Sequence, residues 1–290
     1  MSDIKIYLSC HKNMVFPKHP YLYPIQVGTA LAKDRFPNML ADNIGSNISE
    51  KNPFYCELTA QYWVWKNQQA DYYGFFHYRR FLSFQPNQKR ICWVYPQITE
   101  AVLQRHGYDA IQMEQLIDQY DLLMPCGEQT AETVYQKYVN ANAHYKEDLE
   151  LVLALLRQYT PEYQQAAEYY LHGYTQYYYN MYIMRQKLFR AYCEWLFPLL
   201  ERFDQSNNWE KYTTENALRV DGYLAERLFG IWYTYQKNKI SALELPYLYF
   251  TQTGGRQYYQ QWLRNAMFPA GSKRKIIMKK LCQKIGALKK

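Results

Sequence analysis

The chain has 290 residues, enough for one large domain or two small ones with a full core. Hydrophobic residues make up 48% and charged residues 21%, which excludes a disordered or fibrous chain. The net charge of +8 sits at one end. Eight of the 34 Lys and Arg fall in residues 272–290, which hold no acid, leaving 26 basic against 26 acidic residues elsewhere; a nucleic-acid binder read from total charge is thereby excluded.

In chain order, an alternating, β-branched first strand is expected over 4–9, closed by the turn Cys10-His11-Lys12-Asn13. Pro17, Pro20 and Pro24 then punctuate a loop, and 27–32 reads as a short helix or strand. Residues 42–53 form a polar loop dense in side chains that bond to backbone or ligand, among them Asp42, Asn43, Asn47, Ser49, Lys51 and Asn52. Tyr55, Leu58, Tyr62 and Trp65 recur at helical spacing, which predicts one amphipathic helix over 54–69.

The central stretch is Asp71-Tyr72-Tyr73-Gly74-Phe75-Phe76-His77-Tyr78-Arg79-Arg80. It opens as a buried strand and closes on an imidazole and two guanidinium groups. Open α/β sheets bind ligands outside the carboxyl ends of their strands, and Arg suits bidentate phosphate capture. A strand end followed by a solvated basic turn accounts for the same residues. A loop over 83–96 follows, then helices over 100–105 and 113–119, and a short strand over 120–125. One or two helices are expected over 130–158, another over 161–171, a strand over 177–184, helices over 185–202 and 213–235, and a last strand over 244–250. Strands separated by helices indicate an α/β fold with a mostly parallel sheet. The domain division expected is 1–250 for the body and 251–290 for a linker and tail.

In the tail, Ile277, Leu281, Ile285 and Leu288 form one apolar stripe among lysines, the pattern of a helix lying on an anionic membrane surface; a surface helix packed on its own domain gives the same pattern. Residues 1–12 carry no secretion leader, and no run reaches about 18 apolar residues. The six cysteines form no Cys-x-x-Cys pair. Both points fit a cytoplasmic protein.

No phosphate loop, dinucleotide turn, nucleophile elbow, zinc helix or Asp-x-Asp occurs. A metal-diphosphate site built on paired carboxylates is therefore not expected, although a divalent metal is not excluded. His77, Arg79 and Arg80 can neutralise a diphosphate without one. Asp42, Glu57, Asp71, Asp221 and Glu226 are the carboxylates near these features. A base for an acceptor hydroxyl is sought first at Glu226, with Asp221 beside it; a structural ion pair explains either equally. His11, His19, His106, His144 and His172 are isolated, and a structural role accounts for each. His11, in the turn after the first strand, is also carried with the donor-facing residues.

The blocks Ile48-Ser49-Glu50-Lys51-Asn52, Glu57-Leu58-Thr59-Ala60-Gln61-Tyr62-Trp63 and Tyr73-Gly74-Phe75-Phe76-His77-Tyr78-Arg79-Arg80-Phe81 resemble a bacterial family. So do Tyr120-Asp121-Leu122-Leu123-Met124-Pro125, Asn180-Met181-Tyr182-Ile183-Met184 and Gly222-Tyr223-Leu224-Ala225-Glu226-Arg227-Leu228. That family was first catalogued as a domain of unknown function. It is now grouped with glycosyltransferases of capsule, exopolysaccharide and O-antigen synthesis. The resemblance spans about residues 4–250 and implies a GT-A-like fold. It also implies transfer of a sugar from a nucleotide-sugar, with UDP-galactofuranose a proposed donor, to a lipid-linked glycan. His77-Tyr78-Arg79-Arg80 stands where such folds usually carry Asp-x-Asp, which puts the manganese requirement in doubt. Tyr179, Asn180 and Met181 correspond to the acceptor-facing strand. A non-catalytic glycan- or membrane-binding module is the rival reading.

Overall fold

The computed structural model describes residues 2–86 and 88–287, with side chains outside 283–287. The expected stripe residues Ile285 and Leu288 therefore lie outside the described side chains. The strands, in chain order, are β1 (Ile4–Cys10), β2 (Leu22–Gln26), β3 (Leu40–Ala41), β4 (Tyr72–His77), β5 (Arg80–Leu82) and β6 (Cys92–Tyr95). They continue with β7 (Leu122–Pro125), β8 (Glu128–Gln129), β9 (Thr175–Gln176), β10 (Tyr182–Arg185), β11 (Ala242–Leu245) and β12 (Tyr247–Phe250). The helices are α1 (Asn52–Tyr55), α2 (Leu58–Asn67), α3 (Glu100–Arg105), α4 (Ala110–Ile117), α5 (Val134–Val139) and α6 (Lys146–Tyr159). After these come α7 (Gln164–His172), α8 (Gln186–Ser206), α9 (Glu215–Leu218), α10 (Val220–Gln236), α11 (Gly255–Met267) and α12 (Lys273–Ala287).

One sheet runs in the order β11-β7-β10-β4-β1-β2-β3, with β5, β12 and β6 carried off β4. Its pairings are mostly parallel, and β10 alone in the main row runs against both neighbours. This is the mixed α/β class the strand–helix alternation predicts. Side chains alternate across the pleat. Tyr7, Tyr73, Phe75, Tyr182 and Met184 face the layer of α2, α6, α8 and α10. Ile4, Ile6, Leu8, Tyr72, Phe76 and Ile183 face the layer of α4 and the β5–β12–β6 ribbon. Gly74 stands on the second face. A Cβ there would lie 2.7 Å from Ile6 Cγ1 and 3.0 Å from Ile183 Cγ1, so the missing side chain lets the isoleucines of β1 and β10 close over β4.

Several boundaries differ from the sequence reading, each for a local reason. The proline-punctuated loop contains β2, paired with β1 through Leu8 and Pro24. Because β3 pairs only with Ile25 and Gln26, β2 is open on that side at Pro24, where a missing N–H is tolerated. The expected loop over 83–96 contains β6, which lies parallel to β12. The single helix over 54–69 is broken at Cys56, whose φ of 52° ends α1 before α2 begins. Likewise the helix over 213–235 is divided at Arg219 into α9 and α10. The strand over 177–184 shrinks to β10 because Tyr179 and Asn180 take φ values of 80° and 46°.

The tail packs on the body as far as Lys275. Asn265 Nδ2 donates to the Cys92 carbonyl at 3.1 Å, and Lys275 Nζ lies 3.1 Å from Glu128 Oε2. Ile277, Leu281, Trp262, Leu263 and Met267 remain exposed. Among the described residues no helix is long and apolar enough to cross a membrane.

Candidate active site

The register brings four strand ends to one edge. Ser9 of β1 pairs with His77 of β4, Cys10 with Gln26 of β2, and Gln26 with Ala41 of β3. The residues that follow, His11, Gly28, Asp42 and Tyr78, therefore emerge together. Since β10 runs the other way and its Tyr182 pairs with Phe75, the segment before it, Tyr179–Met181, arrives at the same edge.

The cationic cluster stands on a tight hairpin. His77 pairs with Arg80, leaving Tyr78 and Arg79 at the tip. The His11 ring lies 4.6 Å from Tyr78 and 6.2 Å from His77, so it does join the cluster. Burial pushes the His77 imidazole well below its ordinary value, and the charges of Arg80 and Arg79 push it further. His77 is therefore neutral near pH 7, and its Nδ1 has no partner. His11 moves the same way, through burial first and then Lys12, Arg79 and Arg219. Arg79 lies over Tyr78 at 5.4 Å, with its buried Nε unpartnered. Arg80 lies over Tyr179 at 4.4 Å and Tyr249 at 5.2 Å. Neither arginine has an ion pair among the described residues. Arg219 adds a further positive charge, with Nε 3.2 Å from Cys56 Sγ.

Opposite stands the left-handed pair Tyr179–Asn180. Such backbone persists only where its surroundings hold it. Glu226 Oε1 accepts the Tyr179 N–H at 2.8 Å, Glu57 Oε1 accepts Asn180 Nδ2 at 2.8 Å, and Gln61 Nε2 donates to the Asn180 carbonyl at 3.0 Å. Behind them the Tyr170 hydroxyl receives the Tyr177 N–H at 3.3 Å, its ring seated in the space left by Gly230. Asn180 Oδ1 is buried and unpartnered. Glu226 Oε2 accepts from Arg227 at 2.9 Å. Burial raises the Glu57 carboxyl, Asn180's hydrogen bond opposes that rise, and the charge of Glu226 adds to it. Two carboxylates thus hold the Tyr179–Asn180 turn.

The polar loop is organised differently. Asp42 is fully buried, and its two oxygens accept Thr29 N–H at 2.9 Å, Ser49 Oγ at 2.5 Å, Gly28 N–H at 2.8 Å and Thr59 Oγ1 at 2.7 Å. A carboxylate has about four acceptor positions, so none is left for a ligand. Ser49 also receives the Ala30 N–H, Asn52 Nδ2 bonds Cys56 O and Thr59, and Asn47 bonds Gly45 O and the Ser49 N–H. Lys51 pairs with Asp204 at 2.7 Å. Asn43 alone keeps a buried, unpartnered Oδ1. Asp221 is sealed between α8 and α10. Burial first, and then the charge of Asp204, push its carboxyl well above the ordinary range, which does not suit a base. Met181 is buried in the second core face. The sequence reading missed Arg219, a lone cation in an amphipathic stretch with no spacing to mark it, and gave no role to Glu57.

A family model described as "Domain of unknown function (DUF4422)" matches residues 5–238. No curated protein matches the chain. A solved structure of the WbbM bifunctional glycosyltransferase in its apo form is similar, with a TM-score of 0.80 and 32% identity over 86% of this chain. The match covers 45% of WbbM, so this chain spans less than half the length of that relative.

Proposed function

From the premise that the chain belongs to the DUF4422 family and shares its fold with part of a glycosyltransferase, we propose that it transfers a sugar from a nucleotide-sugar to a glycan. The observation that carries this reading is that Arg79 and Arg80, which have no ion pair among the described residues, and the Glu57–Asn180–Glu226 group emerge at the same edge of the sheet. Arg79 and Arg80, helped by Arg219, receive the diphosphate of the donor. Their fixed charges meet the negative charge that develops on the nucleoside diphosphate as its bond to the anomeric carbon breaks. Glu226 takes the proton from the acceptor hydroxyl that forms the new bond. The donor is UDP-linked, with UDP-galactofuranose the sugar the resemblance favours, and transfer proceeds without a metal because arginines supply the charge. The acceptor is a lipid-linked glycan of cell-surface polysaccharide synthesis. The enzyme works peripherally on the cytoplasmic face of the membrane, held there by the basic residues of 272–290 and the exposed Ile277 and Leu281.

A panel of UDP-sugars, scored by thermal shift and donor hydrolysis with and without EDTA, tests the reading. One donor that is hydrolysed equally in EDTA supports it. Activity lost in EDTA removes the metal-free step, and no response to any donor leaves a glycan- or membrane-binding module. Glu226→Gln should lower turnover about a hundredfold or more while donor affinity changes little; unchanged turnover would strip Glu226 of the base role.

A further inference from the structure

A cavity of about 270 Å³ opens on the other side of Tyr179, between the β12–β6 ribbon and α11. Its walls include Tyr179, Tyr247, Tyr249 and Arg80 from the body, and Arg264 and Lys275 from the tail. Lys275 is matched by Glu128, whose other oxygen accepts the Tyr247 hydroxyl at 2.9 Å. Arg80 and Arg264 have no carboxylate partner among the described residues. The cavity is thus left with two uncompensated guanidinium groups beside three tyrosine rings. Paired guanidinium groups suit the oxygens of a phosphate, and tyrosine faces suit the ring or chain attached to it.

We propose that this cavity is a second anion site, joined to the donor end through Arg80, which holds a phosphate-bearing ligand between Arg80 and Arg264 with its organic part on Tyr179, Tyr247 and Tyr249. The site deepens the transfer reading by giving the acceptor a place on the far side of the Tyr179–Asn180 turn. The tail becomes a wall of that place. The same phosphate chemistry could come from an isoprenoid diphosphate or from a nucleotide, and the test separates them.

The full chain is titrated calorimetrically with inorganic pyrophosphate, UDP and farnesyl diphosphate, as wild type and as Arg264→Gln. Arg264 is exposed on α11, so the variant should keep its thermal midpoint. The expected result is that Arg264→Gln weakens farnesyl diphosphate binding about tenfold or more and leaves UDP affinity unchanged. A loss confined to UDP would keep the anion site and assign it to the nucleotide. Equal affinities in both proteins for all three probes, or no pyrophosphate binding by wild type, would overturn the proposal. Donor hydrolysis by Arg264→Gln is read in parallel. If wild type hydrolyses no nucleotide-sugar yet shows Arg264-dependent binding, the cavity stands and the transfer reading falls.

Discussion

Two groups of polar residues at this edge of the sheet do opposite things. The loop over 42–52 turns its polar groups inward, and Asp42 alone binds four donors from three segments. The hairpin at His77–Arg80 and the turn at Tyr179–Asn180 leave polar atoms without partners: His77 Nδ1, Arg79 Nε and Asn180 Oδ1. Folded proteins satisfy nearly all buried polar groups, so a cluster of unsatisfied ones marks where a ligand belongs. Buried atoms without partners also occur at Asn43 Oδ1 and at both Asp221 oxygens, so their clustering at the sheet edge carries the inference rather than the lack of a partner alone.

The largest expected effect lies on the satisfied side. Asp42→Ala would leave two buried N–H groups and the Ser49 hydroxyl short of an acceptor, and should cost about 4 kcal/mol of stability by urea unfolding. A loss below about 1 kcal/mol would break the comparison. On the other side, Arg79→Ala should leave the urea midpoint nearly unchanged and lower transfer roughly a hundredfold or more. If stability fell with activity, the hairpin would be scaffold too.

Two smaller effects sharpen the contrast. Asp221 holds its proton in the folded chain and releases it in the unfolded chain once pH passes about 4. Its contribution to stability is therefore full below that pH and declines as pH rises towards its raised folded value. Asp221→Asn should flatten that decline, seen in unfolding free energies at pH 5 and pH 8, with little change in donor affinity. The smallest effect is a near absence. His77 and His11 are both depressed below the ordinary histidine value, chiefly by burial, so each takes up its proton below the usual range. Affinity for the nucleotide-sugar should vary less than about twofold between pH 6.5 and 8.5; tightening on descent to pH 6.5 would mean a histidine supplies the charge.

Much of this was legible from residues alone. The strand ending in His77-Tyr78-Arg79-Arg80 lies at the centre of the sheet, and the helices at 100–105, 161–171 and 185–202 are present within a turn or so. What escaped was set by partners distant in sequence. Cys92–Tyr95 becomes a strand because β12 lies beside it, and Leu22–Gln26 because β1 and β3 enclose it. Asp42 read as a ligand group because its four donors come from residues 28, 29, 49 and 59, whose convergence no local pattern announces. Glu226 stood out in a recognisable block, whereas Glu57 acquires meaning only when Asn180 is folded against it.

The seat of Tyr170 against Gly230 has a genetic consequence. A methyl at position 230 would fall 2.0 Å from the Tyr170 ring carbon Cζ, and that ring carries the hydroxyl that anchors Tyr177, two residues ahead of the reactive turn. Gly230→Ala therefore displaces the turn from behind, without touching any group that meets substrate. Its expected phenotype is conditional: the proposed sugar transfer persists in the cold, where the crowded helix pair still closes, and is lost a few degrees higher, where it does not.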